Sequence, residues 1–303
     1  MSGHSHHNHS HGNLSTKNLL FSIILNIVIT TSQFIGGIIS GSLSLLSDAT
    51  HNLTDVFSLV ISFVAAKLKH KKQTEHQTFG FKRAEIIAAF INATSLIVLS
   101  VFLGIEAIHR FNDVKEVETG IVIWLALVAI IANTLSVVLL SKDAKDNINM
   151  RSAYLHLLTD AMVSVAVLVG GLLMKYYQIY WIDAALTLAI SVYLLFLSWD
   201  ILLESTKMLM LFAPKGIHIK DIEKSIVKFE YVKNLHHVHL WQLNDHDIYI
   251  EAHIEFSKDI SLSEWDKICY DIEKRLWDEF KINHSMLQPE FLREDEKEFI
   301  IQD

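Results

Sequence analysis

The chain has 303 residues, 51% of them hydrophobic, a formal net charge of −8 and a mean hydropathy of +0.31. That is too apolar for an ordinary soluble domain, and the charge is unevenly placed: residues 206–303 hold 13 basic and 20 acidic residues, whereas residues 18–205 hold only 12 basic ones. An acidic surface argues against nucleic acid and suits cations, and the single cysteine, Cys269, excludes an intramolecular disulfide and a cysteine-built zinc knuckle.

Residues 1–17 are low-complexity and rich in histidine, a composition that builds no core and reads as a flexible metal-gathering tail or as an appended tag. The opening "MSGHSHHNHSHGN" is neither cationic nor apolar, so no signal peptide is expected. Six apolar stretches follow at 18–40, 44–66, 84–108, 119–141, 152–174 and 181–205, each near the ~20 residues that cross a hydrocarbon core as a helix. The short connector "SGSLS" makes a hairpin of the first two. Basic residues gather in the second connector (Lys67, Lys69, Lys71, Lys72, Lys82, Arg83) and the fourth (Lys142, Lys145, Arg151), which places those loops and both termini in the cytoplasm. An integral, multi-pass protein of a bacterial inner membrane is expected, because the chain is poor in loops and carries no targeting sequence.

The remainder, 206–303, changes character. "IHIKDIEKSIVKFE" has helical spacing, "VKNLHHVHLWQL" and "DIYIEAHIEF" alternate as strands around the turn "NDHD", and "LSEWDKICYDIEKRLWDEF" is an amphipathic helix begun by a Ser cap. "HSMLQPEFL" suits a last strand, which Pro289 places at an edge or ends. The order α-β-β-α-β predicts a small α+β domain.

Two apolar stretches contain ionisable residues four apart: His51 with Asp55, and His156 with Asp160. Such pairs lie on one face of a helix and are costly in lipid, so they should turn inward and find partners. If the two helices pack together, two imidazoles and two carboxylates converge, a tetrahedral and charge-neutralising set suited to Zn²⁺, with Co²⁺ or Cd²⁺ as further ions. A histidine near neutrality binds a proton or a metal through one nitrogen, not both, which is a physical basis for exchanging zinc against protons. Asp48, near the start of the same helix, reads as a second-layer or entry residue, with a structural cap as the alternative. No H-E-x-x-H occurs and the four ligands form a closed set, so no enzyme is expected.

Taken together, "GSLSLLSDATHNLTD", "FGFKRAE", "SAYLHLLTDAMVSVAVLVGG" and "HHVHLWQL" resemble the cation diffusion facilitator family, close to its bacterial zinc exporters, over most of the chain from Leu14 to Pro289. The resemblance implies a six-helix transmembrane bundle (18–205), a C-terminal cytoplasmic ferredoxin-like domain (206–303), a homodimer, and efflux of zinc against external protons by alternating access. It carries the transport site to His51, Asp55, His156 and Asp160. Relatives that prefer manganese have Asp in place of the first His, which is not what stands here. Some relatives carry a loop site before the third span; here Gln77 and Phe81 stand at its positions, while His70, Glu75 and His76 are out of register, so no such site is expected. In the cytoplasmic domain the resemblance points to His236, His253 and Asp266 as ligands of a regulatory zinc, with Gln288 and Glu290 where relatives have His and Asp. A membrane-bound zinc sensor that binds metal without moving it is the alternative function.

Overall fold

The computed structural model describes residues 12–69, 71–140, 148–244, 246–294 and 297–299. The order is α1 (Gly12–Ser40), α2 (Leu43–Lys69), α3 (Ala84–Asn112), α4 (Thr119–Leu140), α5 (Ile148–Tyr177), α6 (Trp181–Leu209), α7 (Ile219–Ile226), β1 (Val232–Gln242), β2 (Ile248–Phe256), α8 (Leu262–Phe280) and β3 (His284–Glu290). The chain divides into two units, Met1–Ile61 with Asn92–Asp200, and Ser62–Ile91 with Ile201–Asp303.

The first unit is helical. Among the described residues, α3, α4, α5 and α6 are long and apolar enough to cross a membrane; the apolar run of α1, Ile24–Ser40, is shorter. Several helices outrun the apolar stretches that foretold them, α1 beginning at Gly12 and α5 at Ile148. Hydropathy marks the length that suits hydrocarbon, whereas backbone hydrogen bonding carries a helix on into its polar ends. The hairpin joining α1 to α2 turns at Gly41, whose φ of 71° suits glycine. A Cβ on Gly37 would lie 3.1 Å from the backbone of Leu46, so this glycine sets how closely the two helices approach.

Polarity is arranged inside out. Large apolar side chains such as Phe102, Trp124 and Phe196 are exposed, whereas Gln33, Ser47, Asp48, His51, Asn52, Asp160, Ser164 and Asp183 are buried. That suits an apolar surrounding, in which polar groups must be satisfied within the protein. Asn133 is buried, while Asn26 accepts a hydrogen bond from Thr30 of its own helix.

In the second unit the strand order is β1-β2-β3, with β1 antiparallel and β3 parallel to β2. One face of the sheet presents Leu235, Val238, Leu240, Ile250, Ala252, Ile254 and Phe256 to Ile222 and Ile226 of α7 and to Trp265, Ile272 and Leu276 of α8. Each such aliphatic side chain, once buried, stabilises the domain by roughly 2 kcal/mol. α8 starts where a Ser cap was expected: Ser261 Oγ accepts from the Glu264 amide and Glu264 reaches back to the Ser261 amide, a capping box. α7 is shorter than its pattern, since residues 227–230 turn towards β1 and bury part of Phe229 against the core. Pro289 lies within β3, tolerated because β3 is an edge strand.

The expected alternation along β1, with His236 on one face and His237 and His239 on the other, holds only in part. His237 adopts φ 50°, and the register with β2 shifts between His236 and His239. The chain bulges there, Leu235 and His236 are both buried, and the rings of His236 and His237 both reach His253, with centroids 5.4 and 4.7 Å away.

Candidate metal centres

The first centre lies between α2 and α5. His51 Nε2 stands 3.9 Å from Asp160 Oδ1, and both side chains are buried. One member of each i, i+4 pair, His51 from α2 and Asp160 from α5, is therefore turned inward towards the other helix. The side chains of Asp55 and His156, the other members of the expected set, lie outside the described residues, as do residues 1–11, His70, Lys142 and Lys145.

Asp48, one turn before His51, is fully buried and joins three helices. Its Oδ2 accepts from Gln33 Nε2 of α1 at 2.7 Å and from Ser164 Oγ of α5 at 3.4 Å. It is a buried cross-link beside the His51–Asp160 contact and not a cap on α2. Its Oδ1, with Asn52 Oδ1 and Ser47 Oγ on the same helix, has no hydrogen-bond partner among the described residues. Buried polar atoms in such a state are costly, and three of them stand on this one helix.

Sequence reasoning missed what holds the end of α2. Asp183, in the first turn of α6, accepts from Ser42 Oγ (2.6 Å), the Leu43 amide (2.7 Å), the Ser44 amide (3.2 Å) and Ser44 Oγ (2.6 Å). A carboxylate on the exposed amides of a helix N-terminus is favourable through both hydrogen bonds and the helix dipole. Arg110 of α3 donates to the Gly41 carbonyl and places its Nη1 3.9 Å from Asp183 Oδ2. The helix that carries His51 and Asp55 is thus tied to α3 and α6. The signal in the sequence was Ser42 and Ser44 in "SGSLS", which suit a cap; their partner lies 141 and 139 residues away.

The second centre is on the sheet face turned away from α7 and α8. Strand periodicity and register build it: His253 pairs with His236 on one side and Gln288 on the other, and Glu255 likewise pairs with Asn234 and with Glu290. His236 Nε2 lies 3.1 Å from Glu290 Oε2, and His253 Nδ1 lies 2.9 Å from Glu290 Oε1. The second of these, though short, is not aligned as a hydrogen bond. One ligand atom from each of His236, His253 and Glu290 lies within 4.8 Å of the others, an arrangement able to hold a metal ion. Asp266 is exposed on α8 and is not one of this group; Glu290, at the end of β3, is the carboxylate the fold supplies.

The donor chemistry fits a divalent cation. Asn234 Nδ2 donates to Glu255 Oε2 at 3.0 Å, which turns Asn234 Oδ1 towards His236 Nδ1, also at 3.0 Å. His236 then carries a proton on Nδ1 and has its Nε2 turned towards Glu290. This is the layered arrangement that orients metal-binding histidines.

Residues 19–210 match the cation efflux transmembrane domain, and residues 214–291 match the cation efflux protein cytoplasmic domain. The chain belongs to the cation efflux family, the cation diffusion facilitators. Family members related to it include a cadmium, cobalt and zinc/H(+)-K(+) antiporter of Bacillus velezensis, 33% identical over 94% of this chain and 91% of that protein. The zinc transporter ZitB of Pectobacterium atrosepticum is 33% identical over 96% and 90%, and the metal cation efflux system protein CzcD of Cupriavidus metallidurans 28% over 93% and 89%. The family is one of transporters, and with its apolar helices the chain is a multi-pass membrane protein.

Proposed function

We propose that the protein exports divalent cations, zinc foremost, from the cytoplasm in exchange for external protons. The observation that carries this reading is the buried approach of His51 and Asp160 across α2 and α5, at 3.9 Å. Relatives whose names specify zinc, cadmium and cobalt, and for one of them proton antiport, support the choice of ions and of counter-ion.

In this reading α1–α6 are six membrane spans with both termini in the cytoplasm. Residues 1–17 form a tail, 18–205 the transport domain, and 206–303 a ferredoxin-like domain that pairs two copies of the chain. His51, Asp55, His156 and Asp160 bind zinc from the cytoplasmic side. Two carboxylates cancel its charge and two imidazoles favour it over harder ions. After the bundle has opened outward, protons compete for the same nitrogens and oxygens and release the metal. His236, His253 and Glu290 would hold a second zinc that reports its cytoplasmic level.

Zinc flux in proteoliposomes with and without an imposed pH gradient tests the proposal. Gradient-driven flux that Asp160→Ala abolishes is the expected result. Zinc binding without flux would make the protein a sensor instead, and full flux in a well-folded Asp160→Ala protein would remove the assigned site.

A further inference from the structure

The cytoplasmic ligand group already touches a cation from its own chain. Lys297 Nζ lies 2.8 Å from Glu290 Oε2 and 3.4 Å from His236 Nε2, and Arg293 Nη1 lies 3.3 Å from Glu290 Oε1. Lys297 comes after the stretch that matches the family's cytoplasmic domain, which ends at residue 291.

The ammonium is positioned by backbone pairing. The His237 amide donates to the Glu298 carbonyl at 3.1 Å and the Val238 amide to the Phe299 carbonyl at 3.0 Å. These amides belong to the bulge of β1, where the outward turn of the chain presents them to residues 298 and 299. Phe299 packs, partly buried, against the core of the domain. Residues 297–299 therefore form a strap that docks on β1 and delivers one positive charge to the ligands.

That charge sits on the atoms a metal would use. His236 Nε2 faces Glu290 Oε2 across 3.1 Å, and the Lys297 ammonium is in contact with both. A lone pair that accepts from an ammonium is closed to a metal.

We propose that Lys297 is a tethered competitor for the metal at His236, His253 and Glu290, so that zinc fills this site only by expelling the ammonium and undocking the strap 297–299. This rests on the reading of that group as a zinc site. The ion and the ammonium require the same two lone pairs and carry like charge, so they exclude one another. The consequence is a raised zinc threshold. The apparent dissociation constant is the intrinsic one divided by the fraction of molecules whose strap is undocked. Binding at the ligands is coupled by the same exclusion to the amides of His237 and Val238.

The test uses the full-length protein in detergent with the transport site removed by His51→Ala and Asp160→Ala and the tail histidines His4, His6, His7, His9 and His11 replaced by Ala, titrated with zinc against a chelator of known affinity. Lys297→Met is expected to tighten binding by about tenfold, as for a strap undocked in about one molecule in ten, with Lys297→Arg close to the parent. Hydrogen exchange across residues 232–243 is expected to speed up on zinc addition in the parent and to be fast without zinc in Lys297→Met. If Lys297→Met binds zinc no more tightly, or less, while His236→Ala with His253→Ala abolishes binding, the zinc site stands and the competitor proposal fails. Equal binding with and without His236 and His253 would overturn the site, and the competitor with it.

Discussion

Asp183→Asn isolates the device that holds α2. The substitution keeps the size and shape of the side chain and replaces one carboxylate oxygen with an amide nitrogen. Oδ1 receives Ser42 Oγ and both donors of Ser44, and Oδ2 receives the Leu43 amide. Whichever way the new amide turns, an NH₂ group faces a backbone N–H, and that donor loses its acceptor in a buried place. Arg110 loses its counter-charge as well. Hydrogen bonds to a charged group contribute about 1.5–3 kcal/mol each, and an unsatisfied buried donor costs about 1–3 kcal/mol, so the expected loss for Asp183→Asn is about 3 kcal/mol. The loss falls on the N-terminal end of α2, a little more than two turns before His51. Thermal unfolding in detergent should shift down by several degrees, and zinc flux should fall although no proposed ligand has changed. Arg110→Met removes the same ion pair and the bond to the Gly41 carbonyl but leaves the four hydrogen bonds to Asp183, and should cost less. A melting temperature and a flux at the level of the unaltered protein in Asp183→Asn would refute the role given to this carboxylate.

Three other outcomes are expected. Lys82 Nζ lies 2.8 Å from Asp247 Oδ2, and Lys82→Ala should loosen residues 71–83 by about 1 kcal/mol, read as faster hydrogen exchange there. Burial pushes the Asp247 carboxyl up, but hydrogen bonds from Lys82, Asn244 and Asn283 outweigh that and hold it below its ordinary 3.8. The stabilisation is therefore complete above the ordinary carboxylate range and is lost as pH falls through the lowered value; a contact indifferent to acid would contradict this. Burial pushes the Cys269 thiol up to about 11, with the carboxylates of Glu273 and Asp266 adding to the effect. At pH 8 only about one such thiol in a thousand is ionised, so alkylation of the folded protein should be far slower than after denaturation, and equal rates would exclude the raised value. Ser261→Ala removes half of the capping box and should cost about 1 kcal/mol, seen as roughly fivefold faster exchange in the first turn of α8.

Local geometry made part of this protein legible from its residues. The i, i+4 spacing of His51 with Asp55 and of His156 with Asp160 needs only the pitch of a helix. The alternation in "DIYIEAHIEF" and the Ser cap before α8 likewise depend on neighbours in the chain. The order of helices and strands from α7 to β3 followed for the same reason.

Contacts between distant segments were not legible. Asp183 meets Ser42 because α6 returns beside the α1–α2 hairpin, and nothing near either residue encodes that meeting. Glu290 joins His236 and His253, and Asp266 does not, because β3 lies parallel to β2 in a register that sets Glu290 beside Glu255. The bulge at His237 broke the two-residue period and opened the amides that receive residues 298 and 299. The sequence by itself determined which residue types could bind a cation and which helices and strands would carry them, since side-chain chemistry and backbone periodicity are local. Only the tertiary structure decided which of them meet, because strand register, helix packing and a docked strap are settled by contacts between segments far apart in the chain.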